Sequence, residues 1–253
     1  MEKLSEFKKF MSYLANISAD IIKPYFRTRM NIEHKKDNSP VTVADIKAEE
    51  AMRNAIKKEY PGHGIIGEEF GSYNERAEYK WVLDPIDGTK SFIYGALSFG
   101  TLIALLKNDE PILGVINQPI LNEFLIGDNK TAFINNKPAS VRSCEDISEA
   151  VLLTTDHINI EKYQNLEKFE KLIRKVKLYR NWGDCYGYYL LATGFVDIMI
   201  DPIMSFWDKM ALIPIIKGAR GIITDYKGDN PVKGTSVIAS SPGVHPQVIK
   251  CLN

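Results

Sequence analysis

The run WVLDPIDGTKSF at 81–92 holds two aspartates three residues apart, the clearest chemical signal in this sequence. The apolar WVL reads as a strand that delivers Asp84. Pro85 should then stop the ladder, and Asp87-Gly88-Thr89-Lys90 should turn sharply. Two carboxylates so spaced at a strand's end can face one cleft. Hard divalent cations take such oxygens, with the carbonyl of Ile86 as a further donor. An ordinary Asp-Gly turn with Asp84 as a cap fits the same run. Two other acidic positions matter. GEE at 67–69 follows an apolar entry, so Glu68 or Glu69 either joins a cleft or is solvated surface. FWDK at 206–209 puts Asp208 at the start of an apolar helix, as an N-cap or as a group projecting into a cleft beside Trp207.

Periodicity supplies the elements around these acids. Phe7, Phe10, Leu14, Ile17, Ile21 and Tyr25 recur at helical steps, and a second helix is expected from Val43 to Tyr60 with Ala44, Ala48, Met52 and Ala55 on one face. Residues 64–69 and 81–85 read as short buried strands. Residues 99–107 and 111–119 read as longer strands joined around Asn108-Asp109 in a hairpin, with a further turn at Asn135-Asn136-Lys137. Beyond 150 the pattern alternates: strands at 150–155, 177–180, 196–200, 221–226 and 236–240, and helices over 163–176, 184–193, 208–217 and after Pro246. The expected fold is α+β, with helices packed around two sheets, the first mainly antiparallel and the second mixed. Two lobes are expected, 1–145 and 146–253, sharing one cleft.

Lys+Arg and Asp+Glu are both 32, so the formal net charge is zero. That balance argues against a dedicated nucleic-acid or membrane-surface binder. The three widely spaced cysteines suit a reducing cytoplasm better than a disulfide framework. The N-terminal stretch is broken by charges and reads as an amphipathic helix rather than a signal peptide. No run of about 18 apolar residues occurs, so no membrane span is expected.

Taken together, these acids resemble the inositol monophosphatase superfamily, the lithium-sensitive Mg²⁺-dependent phosphatases. The first family signature stands here as Asp84-Pro85-Ile86-Asp87-Gly88-Thr89. The second stands as Trp207-Asp208 leading to Gly218 and Gly221, and the upstream GEE and SPVTVAD (39–45) match as well. The resemblance implies a layered αβαβα sandwich and a small phosphate monoester as substrate. It implies Glu68, Asp84, Asp87, Asp208 and the Ile86 carbonyl as ligands for two or three Mg²⁺ ions. It implies phosphate held by backbone N–H groups of Gly88 and Thr89. It further implies a catalytic set of Asp45, Thr89 and Glu68, with Asp45 and Thr89 hydrogen-bonded to each other and Thr89 orienting the attacking water. A homodimer is expected on the same ground.

Gly183 to Tyr188, Gly-Asp-Cys-Tyr-Gly-Tyr, looks like the histidinol-phosphate phosphatase branch, although Trp207 stands where that branch often carries Tyr and Arg220 interrupts the glycine-rich end. Asp184 and Asp201 would then face the alcohol part of the substrate, where two carboxylates suit a cationic amine and an imidazole. Read without the resemblance, Asp184 is a helix N-cap and Asp201 a turn residue before Pro202. The expected reaction is hydrolysis of L-histidinol phosphate in histidine synthesis. The alternatives are an inositol-1-phosphate phosphatase, a broad monoester phosphatase, or a non-catalytic regulatory module of the same fold. His34, His63, His157 and His245 lack metal-ligand spacing and read as structural or surface residues. Cys185 reads as packing, and KKDN (35–38) as a cover near the metals with Lys36 as an electrostatic helper or as a solvated loop.

Overall fold

Helix α1 (Glu2–Ile22) opens the chain in a computed structural model that describes residues 2–29, 32–34 and 40–253. The expected cover at 35–38 and Lys36, like Ser39 of the upstream motif, therefore lies outside the described residues. The buried face of α1 is Phe7, Met11, Leu14, Ala15 and Ile22, turned slightly from the predicted stripe: Phe10, Ile17 and Ile21 are only half-buried. The helix stops at Ile22 because Pro24 cannot extend it, and Tyr25 falls in a 3₁₀ turn. Strands β1 (Ile32–His34) and β2 (Pro40–Thr42) form a small antiparallel pair. Helix α2 (Val43–Glu59) follows, with Thr42 as its N-cap and Asp45 completing a capping box.

The main sheet is built from β3 (Gly64–Gly67), β4 (Gly71–Tyr73), β5 (Tyr79–Asp87), β6 (Gly100–Lys107), β7 (Glu110–Gln118), β8 (Glu123–Gly127), β9 (Ala132–Ile134) and β10 (Lys137–Ala139). Its order is β10-β9-β8-β7-β6-β5-β3-β4, and only β3 and β5 run parallel. Asn108 and Asn135 begin hairpin turns whose two central residues all have positive φ, as left-handed turn residues should. The edge strand β4 and the strand β8 were not anticipated. Between β5 and β6 lies the short helix α3 (Thr89–Ile93).

The second sheet comprises β11 (Val151–Thr154), β12 (Leu178–Arg180), β13 (Ile198–Asp201), β14 (Ile222–Thr224) and β15 (Val237–Ser240). Its order is β12-β11-β13-β15-β14. The first three strands are parallel to one another and β15 is antiparallel to its neighbours. Helices α4 (His157–Tyr163), α5 (Leu166–Ile173), α6 (Asp184–Ala192), α7 (Phe206–Met210), α8 (Leu212–Gly218) and α9 (His245–Leu252) accompany it. The helix expected over 208–217 is thus two, and α4 precedes the one expected over 163–176. Asn165 caps α5 by accepting the Lys168 N–H, so the helix expected from 163 starts at Leu166. Pro214 has no N–H to give the Met210 carbonyl, which breaks 208–217.

Strand alternation sorts the core into layers. Trp81, Leu83, Ile103, Leu105 and Val115 pack against Phe7, Met11, Leu14, Met52 and Ile56 of α1 and α2. Val82, Leu102, Ala104 and Ile116 face the other way, onto α6 and α8 and through them Leu153, Met199 and Ala239 of the second sheet. The far side of that sheet, with Leu152, Ile198 and Ile238, meets Phe169, Leu172 and Val248 of α5 and α9. The result is α, β, α, β, α. Each such valine, leucine, isoleucine, phenylalanine or methionine contributes on the order of 1.5–3 kcal/mol when fully buried.

Candidate active site

Asp84 shares the parity of Val82 on β5, so it points into the middle helical layer, where it is 2% exposed. Pro85 interrupts the ladder rather than ending it: pairing with β6 resumes at Asp87, opposite Gly100, after a register shift. The bulge lets Asp84 and Asp87 face one side. It is pinned by Thr101, whose hydroxyl donates to the Pro85 carbonyl at 2.8 Å and meets Ser18 Oγ at 2.8 Å. The Ile86 side chain is buried among Ile22, Ala44, Phe92 and Phe99, so only its backbone can serve the cleft. Gly88 has φ +83°, and a Cβ there would lie 2.8 Å from the Ser98 carbonyl, so this turn requires glycine. It opens α3, whose first N–H groups have no intrahelical partner.

From the other end of the chain α7 brings Asp208. It is the third helical residue, not the N-cap. Ser205 holds the cap, and its N–H donates to Asp208 Oδ2 at 2.8 Å. Carboxylate oxygens of Asp84, Asp87 and Asp208 all lie within 4.8 Å of one another. Glu68, just after β3, lines the same cleft of about 570 Å³. Burial first, then the charges of Glu68, Asp87 and Asp208, raises the Asp84 carboxyl well above the usual range. Burial and the charges of Asp184 and Asp208 do the same to Asp87. For Asp208, burial outweighs the Ser205 N–H, and with the charge of Glu68 lifts it to about 7.

A second group of acids stands at the carboxyl ends of parallel strands, where α/β folds place ligands. Asp201 ends β13 rather than sitting in a turn. It is 4% exposed, accepting the Thr155 N–H at 3.1 Å and the Tyr188 hydroxyl at 2.9 Å. Asp184 is not the cap of α6, a place taken by Gly183. Instead it adopts φ +51°, gives its N–H to Thr155 Oγ1 at 2.8 Å and accepts Ser91 Oγ at 2.8 Å. The next N–H, of Cys185, donates to Asp87 Oδ2. Burial lifts Asp184 to about 6, against the Ser91 hydrogen bond. A recess of about 100 Å³ brings Asp184 and Asp201 together with Asp156, Asn159, Asp87 and Asp208.

Asp45 and Thr89 do not form the expected hydrogen bond. Thr89 Oγ1 donates to the Ile86 carbonyl at 3.0 Å, and Asp45 Oδ2 accepts the N–H and hydroxyl of Thr42 at 2.8 and 2.6 Å. The capping box of α2 has claimed that carboxylate, while Asp45 Oδ1 is buried without a partner. Burial lifts Asp45 to about 6, against its bonds to Thr42. Thr155, Ser91, Asp156 and Asn159 were not foreseen. The acid-and-hydroxyl pair Thr155-Asp156 at the end of an apolar strand was the available signal for two of them.

The described histidines are engaged by neighbouring rings and hydroxyls. His63 stacks between Tyr60 and Tyr79, His157 meets the Tyr179 hydroxyl, and His245 is held by Ser240 and Thr224. The side chain of His34 is outside the described residues. Cys185 is buried in the core between the sheets. Arg220 has φ +65° just past the end of α8, the place where a helix favours glycine. A larger hollow of about 660 Å³ near Pro24 and Val41 has Glu33 as its one acidic lining residue among those described.

Residues 3–253 match the model of the inositol monophosphatase family. The chain belongs to that family. It is 44% identical over 264 residues to the bifunctional phosphatase IMPL2, chloroplastic, of Arabidopsis thaliana, covering 99% of this chain and 76% of that one. It is 34% identical over 242 residues to a histidinol-phosphatase of Chlorobaculum parvum, covering 94% and 93%. It is 31% identical over 252 residues to an inositol monophosphatase of Mesembryanthemum crystallinum, covering 94% and 93%. Among solved structures, an inositol monophosphatase from Zymomonas mobilis superposes with a TM-score of 0.88 at 38% identity, over 98% of each chain. This inositol monophosphatase family member is a phosphoric monoester hydrolase of small phosphate esters. Its acid cluster suits a hard cation: three carboxylates converge, and Asp84 Oδ1 is buried with no hydrogen-bond partner. Among the described residues no helix is long and apolar enough to cross a membrane.

Proposed function

We propose that this phosphatase hydrolyses L-histidinol phosphate to L-histidinol and phosphate, as a step of histidine synthesis, with Mg²⁺ held by Glu68, Asp84, Asp87, Asp208 and the Ile86 carbonyl. The observation that carries the reaction class is the convergence of Asp84, Asp87 and Asp208 beside the Gly88 turn. Two or three ions would offset the mutual repulsion of these carboxylates. When bound, Mg²⁺ supplies Lewis acidity, acidifying water and offsetting charge on the phosphoryl oxygens. The chain's own groups do the positioning. Backbone N–H groups of Gly88 and Thr89 hold the phosphate. Asp45 and Thr89 orient the attacking water, and Asp45 Oδ1, which lacks a donor, is the open acceptor of that pair. Glu68 joins them from the other wall.

For the alcohol moiety, the supporting feature is the acidic recess of Asp156, Asp184 and Asp201, which suits the ammonium and imidazole of histidinol. One observation favours inositol-1-phosphate or a broader range instead: both oxygens of Asp201 already accept protein donors, leaving it less to offer an amine. Steady-state kinetics on both esters separates the readings. A kcat/KM at least a hundredfold higher for histidinol phosphate is expected, and an equal preference for inositol-1-phosphate rejects the assignment. A regulatory module without catalysis is disfavoured by the complete acid set. In this reading residues 1–145 carry most ligands and the phosphate turn, and 146–253 contribute Asp208 and the recess. The protein works in the cytoplasm, where its free cysteines fit a reducing milieu, and as a homodimer, which rests on the family resemblance.

A further inference from the structure

Helix α2 carries a fully buried carboxylate that the proposed chemistry does not use. Glu49 is 0% exposed, and a carboxylate in such a place is costly unless it is paired and hydrogen-bonded. Its partners belong to the turn that carries Glu68. Glu49 Oε2 accepts the Glu69 N–H at 2.8 Å and Oε1 accepts the Phe70 N–H at 3.2 Å. Arg53, one helical turn on, donates to Oε1 at 3.0 Å and to the Gly71 carbonyl at 2.9 Å. The approach is close: a Cβ at Gly67 would sit 1.9 Å from Glu49 Oε1, so the carboxylate fills the space a side chain would occupy.

The pairing of β3 with β4 also closes this turn, with Gly67 opposite Gly71, at the edge of the sheet. Strand β4 beyond it is exposed at all three residues, and Phe70 is 48% exposed. On its near side, the Glu68 N–H donates to the Leu83 carbonyl of β5 at 3.2 Å. Glu68 is therefore fastened to β5 by its own N–H and to α2 by the N–H groups that follow it. We propose that Glu49 is a positioning residue, fixing the 67–71 turn through the Glu69 and Phe70 N–H groups so that Glu68 meets Asp84, Asp87 and Asp208. The inference rests on the metal-centre reading above. Charged acceptors make stronger, shorter bonds to N–H groups than neutral ones, and a ligand displaced by about 1 Å loses much of its effect.

The test uses Glu49→Gln, which keeps shape and one acceptor but loses the charge and presents an amide NH₂ to the turn. Three quantities are read on the full chain: hydrogen exchange at the Glu69 and Phe70 amides, Mg²⁺ affinity by calorimetry, and Mg²⁺-induced rise in Tm. Both amides should exchange at least about tenfold faster, and Mg²⁺ should bind about 10–100-fold more weakly, as expected when a group supporting a ligand is lost. Ile56→Val, a buried change on the same helix, controls for simple destabilisation: its Mg²⁺ affinity should stay within twofold of wild type. Mg²⁺ affinity in Glu49→Gln equal to wild type overturns the proposal, whether or not the amides speed up. If wild type itself binds no Mg²⁺, the metal reading fails, and amide exchange alone judges whether Glu49 holds the turn. Should Glu49→Gln not fold, Arg53→Met frees the same carboxylate and should weaken Mg²⁺ at least threefold; unchanged affinity there overturns the proposal.

Discussion

Two sets of buried carboxylates in this protein are treated oppositely. Asp197 is 0% exposed and fully partnered: Arg142 donates through both Nε and Nη2, and the Val151 N–H donates at 2.7 Å. Asp84, Asp87 and Asp208 are crowded together, and among the described residues no Lys or Arg forms an ion pair with any of them. The first set is finished by the chain itself and ties the segment after β10 to the second sheet. The second is left electrostatically incomplete, its carboxyls held at raised pKa by burial and by each other. An acid that serves the fold is satisfied by the fold.

Mutating one member of each set breaks or sharpens that contrast. Asp84→Asn should lower kcat at least about a hundredfold while far-UV circular dichroism and the metal-free Tm hold or improve, because a repulsive charge has gone. Activity above a tenth of wild type would remove Asp84 from the metal centre.

The next effect is on pH. A carboxyl whose folded pKa is raised stabilises the fold fully below its ordinary value, and that stability is lost as pH climbs through the folded value. Asp208, at about 7 against an ordinary 3.8, and Asp184 and Asp45, at about 6, set the window. Metal-free protein should thus lose at least about 5 °C of Tm between pH 5 and pH 8, and saturating Mg²⁺ should abolish the loss. A flat metal-free profile would contradict the crowding.

Asp197→Ala should do the reverse of Asp84→Asn. It leaves the Val151 N–H without its acceptor and costs about 1–3 kcal/mol by denaturant unfolding, with kcat within threefold of wild type.

Local chemistry was the part of the site legible in the sequence. Asp84, Pro85, Asp87 and Gly88 sit in one short run, and an acid pair at a strand end beside a left-handed glycine reads the same in sequence and in space. Asp208 was visible as an acid opening an apolar helix, although its place at the third position depended on Ser205 taking the cap. The Asp45–Thr89 bond failed because a nearer partner, Thr42, competes for the same oxygen, a local rule that the capping pattern already carried. Ser91 and Glu49 were unreadable for another reason. Each acts on a segment tens of residues away, and only the packing of α2, α3 and α6 makes them neighbours. The layers were legible because period-2 and helical burial recur throughout. The break at Pro214 was missed because apolar periodicity runs across it.

Anomalous diffraction from crystals soaked in Mn²⁺, a substitute for Mg²⁺ with the same preference for oxygen ligands, tests the central claim most directly. At least one strong peak should lie between the carboxylates of Asp84, Asp87 and Asp208, within coordination distance of all three or bridged to a second peak at Glu68. Peaks only on surface acids, or none in the cleft at millimolar Mn²⁺, would contradict it.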